Sequence, residues 1–232
     1  MKNIDALHLC FRNKRATEKI VETFLEKFPD SKVSLIVDKG GLDFSYLENE
    51  HIKVQHYENY NMGGTGPNAY LDSKKMTALF YRIKKAIDFL DKKYVLILED
   101  DVLVTRSFDP EETGEFVLAG VENNYFSEDF KSMYPDAKLS YWGIGGGCIF
   151  SRSHYLELYD DIIDHIDKHH DVNVEKFRPI GAFDCCSTFH FARHGFEIKH
   201  AKWLTDGSVV HPWKNLYPPG WRNDNQVEWD DQ

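Results

Sequence analysis

Val95-Leu-Ile-Leu98 is an unbroken apolar run, framed by Lys92-Lys93 before it and Glu99-Asp100-Asp101 after it. A strand with one wet face alternates apolar and polar residues, so a run without alternation reads as a strand buried on both faces. Such burial requires helices on each side of a sheet, the arrangement of parallel α/β folds. Two similar runs lie upstream, Ile4 to Cys10 and Val33 to Val37. Between them, Ile20, Val21, Phe24, Leu25 and Phe28 recur at helical spacing, and Pro29-Asp30 ends that helix. The first third therefore reads strand–helix–strand.

A second helix carries Met76, Leu79, Phe80, Ile83, Ala86, Ile87 and Leu90 on one stripe, with Lys74, Arg82, Lys84 and Lys85 expected to face outward. Asn61 to Pro67, with three glycines and a proline, reads as a loop. Beyond the acidic triplet, Ser107 to Leu139 reads as polar and irregular, with a helical hint from Glu128 to Met133. Tyr141 to Arg152 is strand-like but glycine-rich. Ser153 is placed to cap a third helix carrying Leu156, Tyr159, Ile162, Ile163 and Ile166. A fourth is expected from Asp184 to His194, stopped by Gly195. Phe196 to Lys199 and Ser208 to Val210 look like late strands, and the tail from Pro212 reads as coil. With 232 residues and no internal repeat, one α/β domain is the simplest organisation: a Rossmann-like mixed sheet flanked by helices on both faces.

The acidic triplet is the strongest chemical signal. Open α/β sheets bind ligands at the carboxyl ends of their strands, where Glu99, Asp100 and Asp101 would sit. Adjacent like charges repel unless a cation compensates them, and carboxylates suit hard ions such as Mg²⁺ or Mn²⁺. Strand alternation puts Glu99 and Asp101 on one side and Asp100 on the other, so one Asp can take metal while its neighbour takes a sugar or ribose hydroxyl. A solvated acidic turn is the plainer alternative. A second signal is Trp142-Gly-Ile-Gly-Gly-Gly-Cys-Ile-Phe150, in which Gly143, Gly145, Gly146 and Gly147 clear side chains from a place of close backbone approach. A tight bend that needs positive φ would use the same residues. The third is Asp184, placed where a helix begins, either as an N-cap or as a general base. The fourth is His211, held extended by Pro212 at a strand end, as a candidate metal ligand. His165 and His169-His170 fall on a predicted helix among acidic residues and read as surface.

Composition narrows the partners. Lys+Arg 28 against Asp+Glu 38 gives a net charge of −10, which argues against nucleic acid or anionic lipid held by overall charge. No stretch has the apolar length of a membrane span, and MKNIDALHLC lacks a signal peptide's long apolar run. Cys10, Cys148, Cys185 and Cys186 form no CxxC pair and read as reduced thiols. A cytoplasmic protein of a reducing compartment is the expectation.

Taken in order, these stations resemble the glycosyltransferases of the GT-A fold, which use nucleotide-sugar donors. That superfamily runs through an acidic metal motif after a buried strand, a glycine-rich loop, an acidic residue at a helix start and a late histidine. The triplet is closest to the Glu-Asp-Asp version of inverting N-acetylglucosaminyltransferase-like enzymes. Phe183 departs from the pattern, standing where many relatives carry a second acidic residue. The resemblance implies a nucleotide-binding half over about residues 1–105 and an acceptor and catalytic half over about 106–232. It also implies Mn²⁺ or Mg²⁺ on Asp101 and His211, with Asp184 as the base in an inverting transfer to a hydroxyl acceptor. Donor contacts, to a UDP- or GDP-linked sugar, would come from Arg12, Asp38, Lys74, Glu99 and Asp100. Trp142, Gly145, Gly146 and Gly147 would line the donor sugar or acceptor. Two other readings stay open. A sugar nucleotidyltransferase would show a glycine-rich loop after the first strand, where Phe11-Arg-Asn-Lys-Arg15 has none. A non-catalytic glycan-binding module would use exposed aromatics such as Trp142, Trp213 and Trp221.

Overall fold

The expected alternation of strands and helices forms as β1 (Ile4–Cys10), α1 (Lys14–Lys27), β2 (Val33–Val37), β3 (Ile52–His56), α2 (Ser73–Phe89) and β4 (Tyr94–Leu98). The computed structural model describes residues 2–10, 13–38, 41–58, 72–122, 135, 141–142 and 145–211. The loop read at 61–67, the helical hint at 128–133 and the tail from 212 lie outside them. Both early helices start on side-chain caps. Asn13 Oδ1 accepts from the Ala16 amide at 3.1 Å, and Asp72 Oδ1 accepts from Lys74 and Lys75 at 2.8 and 3.2 Å. Such caps are each worth about 1 kcal/mol.

The four strands lie parallel in the order β3-β2-β1-β4. The second half adds β5 (Leu103–Val104), β6 (Leu118–Glu122), β7 (Tyr141–Trp142), β8 (Ile149–Ser151), α3 (Arg152–Lys176), α4 (Phe183–Arg193), β9 (Ile198–His200), α5 (Lys202–Thr205) and β10 (Val209–Val210). β8 runs antiparallel to β4 and to β6, which extends the sheet to β7, while β9 pairs parallel with β6. β5 and β10 form a separate antiparallel pair. The result is an α/β fold on a mixed sheet with a Rossmann-like parallel half.

Every residue of β4 is buried. Val95 and Ile97 pack against α2, α3 and α4 on one face; Tyr94, Leu96 and Leu98 pack with α1 and Trp203 on the other. α1, which follows β1, and α2, which leads into β4, thus cover opposite faces, and the chain reverses winding between β1 and β4. In open sheets that reversal opens a crevice at the carboxyl ends of the two strands. At the opposite end, buried Asp5 ties the strand starts together by accepting from the amides of Lys32, Asp91 and Lys92 at 2.7 to 2.9 Å.

Four expectations are corrected. Arg82 does not face outward: it is 2% exposed, because Asp38 offers a partner inside the sheet edge. The stretch from Ser107 is not irregular throughout, since β6 forms there, held by pairing with β8 and β9 despite a sequence too short for a periodic signal. Ser151 rather than Ser153 occupies the cap position of α3. His170 is buried, not surface, because α3 extends its inward stripe from Ile162 and Ile166 through His170 to Val174; His165 is half-buried and His169 exposed. All four cysteines are buried free thiols. Among the described residues, no helix is long and apolar enough to cross a membrane.

Candidate functional site

β4 ends at Leu98, and the chain turns at once, the Val102 amide donating to the Glu99 carbonyl at 3.0 Å. The turn swings into β5, whose ladder with β10 pairs Val104 with Val209 and Leu103 with Val210. Those few residues bring His211 back onto the triplet. Its Nδ1 stands 3.6 Å from Asp101 Oδ1, and both side chains are mostly covered, 22% and 17% exposed. His211 Nδ1 is buried without a hydrogen-bond partner among the described residues.

The glycine turn lies against the same spot. It hangs from β4 through Gly147 N to Ile97 O at 2.8 Å and Ile97 N to Cys148 O at 2.9 Å. The buried Trp203 indole donates to the Gly147 carbonyl at 2.7 Å. Each glycine exposes bare backbone to neighbouring side chains. A Cβ on Gly145 would lie 3.3 Å from Asp184 Oδ2. One on Gly146 would lie 3.0 Å from Glu99 Oε2, 3.2 Å from His211 Cε1 and only 2.5 Å from Val102 Cγ2. Gly147 has φ +82°, and a Cβ there would meet Leu204 Cδ2 at 2.5 Å and His211 Nε2 at 3.4 Å. Both sequence readings of these glycines hold together: Gly147 is a bend with positive φ, while Gly145 and Gly146 are places of close approach.

Asp184 is not a cap. The N-cap position of α4 is Ala182, so Asp184 falls in the first helical turn, where the helix dipole favours a carboxylate. Its half-buried side chain reaches the Gly145 backbone. Phe183 turns the other way, into the core, with its ring edge-on to Phe80 at 5.5 Å. Cys185 and Cys186 are buried behind Asp184, and burial pushes the Cys185 thiol up to about 12.

Asp100 lies on the β1 side of this turn: its Oδ1 is 3.8 Å from His8 Nε2. At the edge of β2, the Asp38 carboxylate is hydrogen-bonded by buried Arg82, whose guanidinium lies 4.7 Å over the Tyr57 ring. Lys74 is an exposed residue in the first turn of α2. Arg12 and Gly143 lie outside the described residues, as does the Trp142 side chain, although Trp142 backbone forms β7. Three contributors carried no motif. His8 and Arg82 hold the inner sides of Asp100 and Asp38, and Trp203 anchors the turn. Only His8 left a trace, one imidazole in an otherwise apolar stretch from Ala6 to Cys10.

A carboxylate and an imidazole on facing elements, with one buried ring nitrogen unsatisfied, offer two protein ligands to a divalent cation. Among the described residues, no cluster of three or more His, Cys, Asp or Glu is arranged to hold a metal by itself. An ion at this pair would complete its shell with ligand oxygens and water. Neither a protein-family model nor a curated protein matches the chain.

Proposed function

We propose that this chain is a metal-dependent glycosyltransferase that moves a sugar from a UDP- or GDP-linked donor to a hydroxyl acceptor with inversion. One observation carries the reading: beyond the carboxyl end of β4, Asp101 faces His211 while Asp184 and Glu99 flank the bare glycine turn. Three of these four polar groups are carboxylates. An anionic diphosphate beside them needs a compensating cation. Asp101 and His211 would hold Mn²⁺ or Mg²⁺, which would supply Lewis-acid stabilisation of charge on a departing nucleoside diphosphate.

The chain's own residues do the rest. Asp184 accepts the proton of an acceptor hydroxyl lying along Gly145, which sharpens that oxygen for attack on the anomeric carbon. A single displacement needs no protein nucleophile and inverts the centre. Glu99, across Gly146, accepts from donor hydroxyls, and Asp100, on the β1 side, accepts from the ribose. Asp38 lies at the nucleoside end of the same edge, and Lys74 is a cation within the nucleotide half. The buried reduced thiols accord with a cytoplasmic setting.

Titration calorimetry with UDP and GDP, with and without Mn²⁺, tests the reading first. Metal-dependent binding supports it; sugar binding that ignores both metal and nucleotide would identify a glycan-binding module. A panel of nucleotide sugars screened for slow hydrolysis then identifies the donor. With that donor, Asp184→Asn should bind normally and lose transfer, because an amide cannot accept the proton. Full turnover in the variant would remove Asp184 from the mechanism.

A further inference from the structure

α3 and α4 meet through histidines. His165 and His169 stand one turn apart on α3, and His190 and His194 stand one turn apart along α4 and its C-cap. The His165 ring centre lies 4.7 Å from that of His169 and 5.2 Å, edge-on, from that of His190. His190 is 1% exposed, and its Nδ1 is buried without a hydrogen-bond partner among the described residues. The Phe189 and Phe80 rings, centred 5.0 and 6.1 Å from it, offer nothing to a proton. The carboxylates of α3 already hold cations. Asp161 accepts from Arg193 and lies 2.9 Å from His194 Nε2, while Asp164 accepts from Lys168 at 2.8 Å. Burial holds His165 down to about 4, with Arg193 and His169 acting the same way and Asp161 and Asp164 opposing. His190 is held well below its ordinary 6.5 by burial first, then by His165, Arg193, His170 and His194. The packed interface therefore accepts both rings as neutral imidazoles. A proton on each would set two like charges side by side, away from water and next to Arg193.

We infer that the α3–α4 interface is a joint opened by acid: protonation of His165 and His190 parts α4 from α3 while the sheet of β1 and β4 stays folded. Asp184 rides in the first turn of α4, against Gly145, so the same movement takes that carboxylate off the glycine turn. The inference goes beyond the proposed function and stands on helix packing, whatever reaction Asp184 serves. Each histidine that refuses a proton while packed and takes one when released multiplies the opening constant tenfold per pH unit below about 6.5. Two of them together raise it by about 500-fold between pH 7 and pH 5.

Amide hydrogen exchange of the full chain at pH 7, 6 and 5, corrected for the intrinsic chemical rate, tests the joint. Protection of the α4 amides should fall by about 500-fold over that range, while β1 and β4 amides remain protected at pH 5. His165→Gln, at a half-buried position, should reduce the fall to about 20-fold. His165→Gln with His190→Leu should leave about tenfold or less. Three results overturn the inference: α4 protection that ignores pH, α4 losing protection only in step with β1 and β4, or a folded double variant that keeps the full fall. Should the double variant not fold, the ring resonances of the wild-type protein decide. His165 and His190 should take up no proton while α4 is protected, and a second set of signals should grow in as it parts. A smooth titration of either ring near pH 6.5 with α4 still protected refutes the joint. None of these outcomes bears on nucleotide binding, so the proposed function stands or falls separately.

Discussion

His211 Nδ1 stands 3.6 Å from Asp101 Oδ1 because two short strands, β5 and β10, pair side by side, with Asp101 just before one and His211 just after the other. The pair lies at the rim, and its loss creates no core cavity. Asp101→Ala should therefore abolish Mn²⁺-dependent nucleotide binding, and His211→Ala should weaken it by more than about tenfold. Neither should cost more than about 0.5 to 1 kcal/mol of stability. Calorimetry and thermal melts check both halves of the expectation. A large drop in melting temperature with His211→Ala would give the histidine a structural role instead.

The neighbouring glycines separate stability from chemistry. At Gly147 an alanine must hold φ near +82° and press against Leu204 and Val209. Left-handed backbone alone costs about 1–2 kcal/mol in a residue with a Cβ. Gly147→Ala should lower stability by at least that much in denaturant melts. Gly145→Ala carries no such backbone penalty, but its methyl would stand 3.3 Å from Asp184 Oδ2, so the carboxylate must shift by a few tenths of an ångström. Its melting should be near wild type and its turnover reduced about tenfold, since misplacing a reacting group by about 1 Å costs near a hundredfold. Equal turnover in the two proteins would show that Asp184 does not act where it touches Gly145.

The central strands and early helices were legible because their burial is periodic: β4 is apolar throughout, and α2 repeats its apolar residues every three or four positions. Periodicity also has a blind side. Arg82 lies within the buried arc of α2, but a cation there reads as a surface residue until Asp38, from a different strand, is known to face it. His170 reads as surface because it stands among acidic residues in sequence, yet it falls on the inward stripe of α3. At the site, residue types and their order were readable. The meeting of His211 with Asp101 was not, since it depends on a two-residue ladder that leaves no pattern. Ser153 and Asp184 looked like caps because they are good capping residues near helix starts; the actual boundaries fall two residues earlier, at Ser151 and Ala182.

The Arg82–Asp38 pair should behave as a buried ion pair does. Arg82 is 2% and Asp38 8% exposed, so removing one partner strands a charge away from water. Arg82→Met or Asp38→Leu alone should destabilise by about 3–5 kcal/mol, and the double variant by less than either single one, because no charge is then left unpaired. Denaturant melts of the three proteins give the coupling directly. Additive losses would show that each side chain is held by other contacts and that the pair is incidental.

Burial pulls the His8 imidazole down to about 4 from its ordinary 6.5; the hydrogen bond to the Leu98 carbonyl favours the charged form, but full burial outweighs it. The folded protein then holds His8 neutral where the unfolded chain would protonate it. Above pH about 6.5 both states are neutral, and the fold has all the stability this residue allows. As pH falls from about 6.5 toward 4, the unfolded state takes a proton that the folded state refuses, and stability is lost, up to about 3 kcal/mol in all. Below about 4 both states carry the proton and the loss levels off. His8→Leu has no such proton to take up. Denaturant melts between pH 7 and 4 should show the wild-type protein losing about 1 kcal/mol more per pH unit than the variant across this window. Carboxylate titrations common to both proteins cancel in that difference. Parallel curves would mean that Asp100 compensates the burial and that the imidazole is charged within the fold.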